Sequence, residues 1–251
     1  MQKKRVIVNG AQGKMGRLAC ETLRGHADFE LVAELGRQDD LARCIIETQA
    51  DIVVDLTRAD VAFQNALVII NSGASPVIGT SGLLAEQIDD LKKQCDTLNR
   101  GGLIVPNFSI GAVLMMHFSA IAARYFADVE IIEAHHPQKV DAPSGTAIKT
   151  ADLIAEARLH EKQPDACKEI LPGARGALSQ SIPIHAVRLS GVLAEQSVIF
   201  GQPGETLTVL HRTSDRVSFM PGLVLACQRV TSLQTLCYGL EYVLDDLRNS
   251  L

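Results

Sequence analysis

The stretch Arg5-Val6-Ile7-Val8-Asn9-Gly10-Ala11-Gln12-Gly13-Lys14-Met15-Gly16-Arg17 decides how the rest of the chain is read. Within 5–9, Val6-Ile7-Val8 is apolar without polar alternation, the pattern of a strand covered on both faces, and a helical pattern follows over 14–25. Between them stand glycines spaced Gly-x-x-Gly-x-x-Gly. Glycine at such a junction permits a tight turn, lets backbone approach a pyrophosphate and lets the helix pack closely on the strand. The helix N-terminus contributes N–H groups and the positive end of its dipole. Gly10, Ala11, Gln12, Gly13, Lys14 and Met15 are therefore candidates to hold a dinucleotide. The spacing departs from the commoner Gly-x-Gly-x-x-Gly, so a plain glycine-rich turn competes with this reading.

The following residues support the dinucleotide reading by alternation. Strands are predicted at 30–35, 51–56, 76–79 and 103–106, with helices at 60–72 and 84–98. This is the order of an α/β, Rossmann-type parallel sheet, which binds ligands at the carboxyl ends of its strands. Glu34 stands near the end of the second strand, where an acid accepts hydrogen bonds from a ribose; a solvated strand-end charge is the competing view. Leu35 follows it, where an Arg would be the simplest partner for a 2′-phosphate. Lys14, Arg17 and Arg37 are alternative phosphate partners, so NADH and NADPH both stay open. Gly79-Thr80-Ser81 ends another apolar strand and lets backbone lie against a flat ring. Val105-Pro106-Asn107-Phe108 ends the next, with Asn107 offering a donor and an acceptor to a carboxamide.

After residue 107 the pattern changes. A helix at 110–125, a strand at 128–135 and a helix at 146–159 precede a polar stretch at 160–180. Ile182–Leu189, Leu193–Phe200 and Glu205–Arg212 then read as an antiparallel meander, separated by Ser-Gly and Gln-Pro-Gly turns. An apolar helix at 221–236 and a short tail at 242–247 end the chain. The expected organisation is a dinucleotide-binding domain at 1–107, joined by 217–251, and an α+β domain at 108–216 with a mixed or antiparallel sheet.

The densest chemistry lies in Glu130-Ile-Ile-Glu133-Ala-His135-His136-Pro137-Gln-Lys139-Val-Asp141-Ala-Pro143-Ser144-Gly145-Thr146-Ala147. Strand alternation sends His135 and His136 to opposite faces, which argues against their chelating one metal; no metal is expected. Imidazole suits proton transfer near neutrality, and Lys139 follows closely enough to share a substrate. Ser144-Gly145-Thr146 opens a helix after Pro143, so the backbone N–H groups of its first turn form a cradle for a carboxylate or phosphate. An ordinary N-cap is the plainer alternative; the neighbouring histidines and Lys139 favour an anion site.

Composition excludes other classes. The 251 residues are 47% hydrophobic, 21% charged and 4% aromatic, an ordinary globular profile. Twenty-four basic against twenty-nine acidic side chains give a net charge of −5, without the basic excess that attracts nucleic acid. No window reaches the ~18–20 uninterrupted apolar residues of a membrane span, and Met1-Gln2-Lys3-Lys4-Arg5 runs straight into a strand rather than a signal sequence. Six cysteines lie scattered without Cys-x-x-Cys spacing, which reads as reduced, buried thiols of a cytoplasmic protein.

At this point the sequence resembles the dihydrodipicolinate reductases of the diaminopimelate route to lysine. The resemblance runs through Gly10–Gly16, Asp55-Leu-Thr57, Ile78–Gly82, Asn107–Ser109 and Glu133–His136. It is most specific in Lys139-Val-Asp-Ala-Pro-Ser-Gly-Thr-Ala147. It implies hydride transfer from NADPH or NADH to C4 of the cyclic imine that 4-hydroxy-tetrahydrodipicolinate gives on losing water, followed by protonation of the enamine. It implies His135 as proton donor or acceptor, Lys139 as proton donor, and His136, Gly145 and Thr146 as partners of a small dicarboxylate. Gly10–Met15, Glu34, Gly79–Ser81 and Val105–Phe108 would hold the dinucleotide. A homotetramer built through the second domain's sheet is implied as well, and a final helix that rejoins the first domain. The chain departs from the family in a short 34–51 segment and in Leu35, where an Arg is frequent. Arg216 stands where the family has a basic residue, and no chemistry is assigned to it. Two alternatives remain: another two-domain dehydrogenase of small amino or imino acids, or a nicotinamide sensor without turnover, which would not need His135 and Lys139.

Overall fold

Val6, Ile7 and Val8 are fully buried in β1 (Lys4–Asn9), because the sheet they join is covered on both faces. The computed structural model describes residues 2–159 and 167–244. The chain divides into two units, 1–110 with 219–251, and 111–218.

In the first unit β1 leads into α1 (Lys14–Gly25), β2 (Phe29–Leu35), α2 (Leu41–Thr48), β3 (Ile52–Asp55), α3 (Ala59–Asn71), β4 (Ser75–Ile78), α4 (Ala85–Thr97) and β5 (Gly102–Ile104). The strands are parallel and lie in the order β5-β4-β3-β1-β2. The order reverses beside β1, which opens a crevice at the carboxyl ends of β1 and β3. Ile7, Val53, Ile78 and Ile104 pack with Ile45, Ala66, Ile69 and Leu91 in one core. Helix α2 is an addition to the sequence reading. Asp40 caps it by accepting from the Arg43 amide at 3.0 Å, and Ile45 buries its short apolar face. Eight residues carry little periodicity.

The second unit comprises α5 (Ile110–Ala122), β6 (Asp128–His135), α6 (Gly145–Ala157), β7 (Ala177–Ser179), β8 (Ile182–Arg188), β9 (Ala194–Gln202) and β10 (Glu205–Thr213). Its sheet runs β10-β9-β6-β8-β7 and is mixed: β6 pairs parallel to β8 and antiparallel to β9. The meander expected over 182–212 is therefore corrected. Of the three expected strands β9 and β10 pair as a hairpin, β8 pairs instead with β7, and β6 lies between β8 and β9. The Ser190-Gly191 turn specifies a reversal of direction, not adjacency; inserting β6 gives its buried Ile131 a neighbour on each side, Ile184 and Val198, and its buried Val129 a partner in Phe200. These residues pack with Met115, Ala151, Ile154, Ile184, Val198 and Phe200 in the unit's core. The other sheet face leaves Ile132, Val187 and Leu210 exposed.

The final helix is shorter than expected. A 3₁₀ turn at Arg216–Phe219 precedes α7 (Met220–Arg229), a second turn covers Val230–Ser232, and Leu236–Tyr238 forms β11, parallel to β5 at the edge of the first sheet. The expected helix to 236 fails because Val230, Thr231 and Ser232 favour neither helix continuation nor an apolar stripe. Residues 160–166 of the polar stretch and 245–247 of the tail lie outside the described residues. The six cysteines stand outside any disulfide; Cys20, Cys95 and Cys227 are buried, whereas Cys167 is exposed, contrary to the uniform burial expected. Burial pushes the Cys20 thiol up to about 11 and Cys95 and Cys227 to about 12.

Candidate active site

The glycine loop is shaped by close approach. Gly10 takes φ +84°, and a Cβ there would lie 2.8 Å from the Leu56 carbonyl oxygen. At Gly16 it would lie 2.1 Å from the Gly10 oxygen, so the helix begins against its own loop. The Gly10 and Ala11 amides donate to the Leu35 carbonyl at 2.9 and 3.0 Å. Gly13 is the N-cap of α1 and has no side chain to accept from the first turn, where Lys14 and Met15 stand. Buried Asp55 holds the facing edge in place, accepting from Asn9 Nδ2 at 3.2 Å, the Thr57 amide at 2.9 Å and Asn65 Nδ2 at 2.8 Å.

The ends of β4 and β5 come together beside this edge. Gly79 is required by packing: a Cβ would lie 2.6 Å from both Leu56 and Phe108 side chains. Thr80 is buried with its Oγ1 lacking a hydrogen-bond partner, and Ser81 is exposed. Val105 is buried and donates to the Ile78 carbonyl at 2.8 Å, whereas Pro106 is exposed. Asn107 turns Oδ1 into the chain, accepting from the Ser109 amide at 2.9 Å, and Phe108 is buried. The cradles that a Cβ would fill and the orphaned Thr80 hydroxyl fit a nicotinamide dinucleotide.

Glu34 lies beside Val8 in the β1–β2 register, one residue short of the strand's end, and its carboxylate pairs with Arg24 of α1. Gly36, just past the end of β2, is the residue that approaches the loop, its Cβ position 3.2 Å from Gln12 Nε2. Asp39 accepts from the Gly36 amide at 2.7 Å.

The second unit gathers the histidine and lysine motif. His135 is the last residue of β6, and its Nδ1 lies 2.6 Å from Oε2 of Glu133, which is fully buried. Arg188 donates to both oxygens of that carboxylate, at 2.9 and 3.0 Å. Burial opposes the charge of Glu133, but hydrogen bonds from Arg188 and His135 outweigh it and hold the carboxyl below its ordinary range. Burial lowers the His135 pKa; Glu133 works against that, and the charges of Lys139 and Arg188 add to it. The imidazole therefore stays neutral near pH 7.

His136 follows with Nδ1 buried and without a hydrogen-bond partner. The chain turns at His136–Lys139, and Lys139 Nζ pairs with both oxygens of Asp141. That pairing holds the Asp141 carboxyl below its usual value. Ser144 caps α6, its hydroxyl accepting from the Ala147 amide at 3.2 Å, so Gly145 and Thr146 form the first turn with open space over Gly145. Sequence reasoning passed over Glu133 and Arg188. The signal for Glu133 was its two-residue offset from His135, which puts both on one strand face; Arg188 is reached only through sheet pairing. Among the described residues no group of three or more His, Cys, Asp or Glu side chains could hold a metal ion.

A glycine-loop α/β unit followed by a unit that collects imidazole, ammonium and a helix N-terminus defines a two-unit nicotinamide-dependent oxidoreductase. Comparison with known proteins narrows the class. The family models "Dihydrodipicolinate reductase, N-terminus" and "Dihydrodipicolinate reductase, C-terminus" match residues 4–108 and 111–244. The chain belongs to the dihydrodipicolinate reductase family. It is 59% identical over 240 residues to a 4-hydroxy-tetrahydrodipicolinate reductase of Legionella pneumophila, covering 96% of this chain and 99% of that protein. With the protein of that name in Coxiella burnetii it shares 53% identity over 239 residues, 95% of this chain and 98% of the relative. A dipicolinate-bound dihydrodipicolinate reductase structure from Paenisporosarcina sp. TG-14 superposes with a TM-score of 0.89 at 40% identity, over 97% of this chain and 100% of that one.

Proposed function

We propose that this chain is a 4-hydroxy-tetrahydrodipicolinate reductase of the diaminopimelate route to lysine, with NADPH or NADH as reductant. The observation that carries the reading is the assembly of Glu133-oriented His135, Lys139 and the Ser144-capped start of α6 within one short segment. The full-length likeness to relatives named for this reaction supports it.

Bound reduced nicotinamide supplies a hydride, which goes to C4 of the cyclic unsaturated imine. The protein's part is to bind the diacid and manage protons. The first-turn amides of Gly145 and Thr146, with the orphaned Nδ1 of His136, would grip the substrate's carboxylates. Lys139 is a cation that stabilises negative charge developing on the ring and donates the proton that completes the reduction. Neutral His135 accepts or relays a proton. In the first unit Gly10–Met15, Gly79–Ser81 and Val105–Phe108 would hold the dinucleotide, with Glu34 as its ribose acceptor. The Arg24–Glu34 pair and the nearby Arg37 leave both NADH and NADPH as donors.

Exposed Ile132, Val187 and Leu210 on one face of the second sheet support a homotetramer that covers them. Cysteines outside any disulfide and the nicotinamide-driven reaction support a cytoplasmic setting. No helix among the described residues is long and apolar enough to cross a membrane.

The test is turnover. Substrate generated by condensing pyruvate with aspartate semialdehyde should drive oxidation of NADPH or NADH by this protein. Nucleotide binding without oxidation would instead make the protein a sensor.

A further inference from the structure

One buried carboxylate links His135, the start of α6 and Arg188 of β8. Glu133 and His135 share the helix-facing side of β6, and Glu133 Oε2 meets the imidazole Nδ1 at 2.6 Å. Its Oε1 accepts from the Ser144 amide at 3.1 Å, the residue that caps α6. Arg188 lies directly opposite His135 in the β6–β8 register; it grips both carboxylate oxygens and also donates to the Asp141 carbonyl at 2.7 Å. A carboxylate with no solvent exposure is costly unless its lone pairs are satisfied. These donors satisfy them.

We propose that Glu133, clamped by Arg188, is the positioning residue for His135: it fixes the Nδ1–H tautomer, leaves Nε2 to exchange the proton, and ties the histidine to the start of α6. The inference rests on the acid–base reading of His135. An ionised carboxylate only accepts, so the nitrogen facing it carries hydrogen. The charged groups around the ring are Glu133 on its own strand, Arg188 on β8 and Lys139 on the following turn, with Asp141 behind the lysine. Removing the Glu133 charge leaves the two cations, which oppose an imidazolium.

Glu133→Gln is expected to lower kcat by about 10-fold or more, with KM for the diacid changed less than about threefold. The acid limb of kcat/KM should move to lower pH, and nitrogen NMR of isotope-labelled histidine should show His135 populating the Nε2–H tautomer. In a His135→Ala background the same substitution should change kcat by less than about twofold. If Glu133→Gln fails to fold, Glu133→Asp keeps the charge for Arg188 while withdrawing the oxygen, and should lose kcat only when His135 is present. A folded Glu133→Gln protein with the wild-type tautomer and acid limb, or equal losses with and without His135, would overturn the proposal. The tautomer in the resting wild-type protein is read without turnover. An Nδ1–H ring in an enzyme that fails to reduce the diacid would therefore sink the reductase reading and not the orienting contact, and a wild-type Nε2–H ring would sink the contact alone.

Discussion

Lys139 Nζ stands 2.8 Å from each carboxylate oxygen of Asp141, two residues further along the same turn. The lysine is largely covered and the aspartate exposed, so the pair orients the ammonium more than it stabilises the fold. Lys139→Ala is expected to lower kcat by about 10²-fold, the range for a lost acid–base group, with nucleotide affinity unchanged. Asp141→Ala should cost less than about fivefold. Steady-state kinetics with nucleotide titration checks both.

The low pKa of His135 sets a pH dependence. Because the fold favours neutral imidazole, the group contributes stability above its unfolded value of roughly 6.5 and loses it as pH falls through the folded value. Glu133 and Asp141, also held low, lose their contributions further down. The melting temperature should therefore fall steadily from about pH 7 to about pH 4. Calorimetry across that range checks it, and a higher Tm at the acid end would contradict the assignment.

The glycine loop tolerates no side chain at its tightest point. A Cβ at Gly16 would meet the Gly10 carbonyl oxygen and the Ala11 backbone, neither of which can swing aside. Gly16→Ala is expected to destabilise the first unit by at least about 2 kcal/mol and to weaken nucleotide binding. Gly145→Ala, with open space around it, should leave stability within about 0.5 kcal/mol. Thermal melts of the two variants make the comparison.

Glu34 has one carboxylate oxygen on Arg24. Glu34→Ala is expected to weaken nucleotide affinity by about 10-fold through lost ribose hydrogen bonds, and Arg24→Ala by less than about threefold. Fluorescence titration separates them. Unchanged affinity in Glu34→Ala would make the residue a partner of Arg24 and nothing more.

The strands of the first sheet were legible because Val6–Val8 and Ile52–Val54 are buried on both faces and carry no polar interruption. Helix α2 and β11 were not, since eight and three residues are too few for a period to register. The β6 insertion between β8 and β9 was hidden for a different reason: turn residues encode local reversal, whereas strand neighbours follow from burial of the whole sheet. In the candidate site, His135, Lys139 and Ser144 announced themselves by residue type and spacing. Arg188 did not, because it meets Glu133 across fifty-five positions of sequence. Glu34 was reached by its spacing from the glycine loop, whereas its pairing with Arg24 was not, because that contact depends on how α1 packs beside β2.

The most direct test follows the hydride itself. Turnover with NADPH deuterated at the transferring position should place one nicotinamide-derived deuterium at C4 of the tetrahydrodipicolinate formed, and should do so far more slowly in Lys139→Ala. A folded, nucleotide-binding protein that yields product without that label, or no product, would contradict the account.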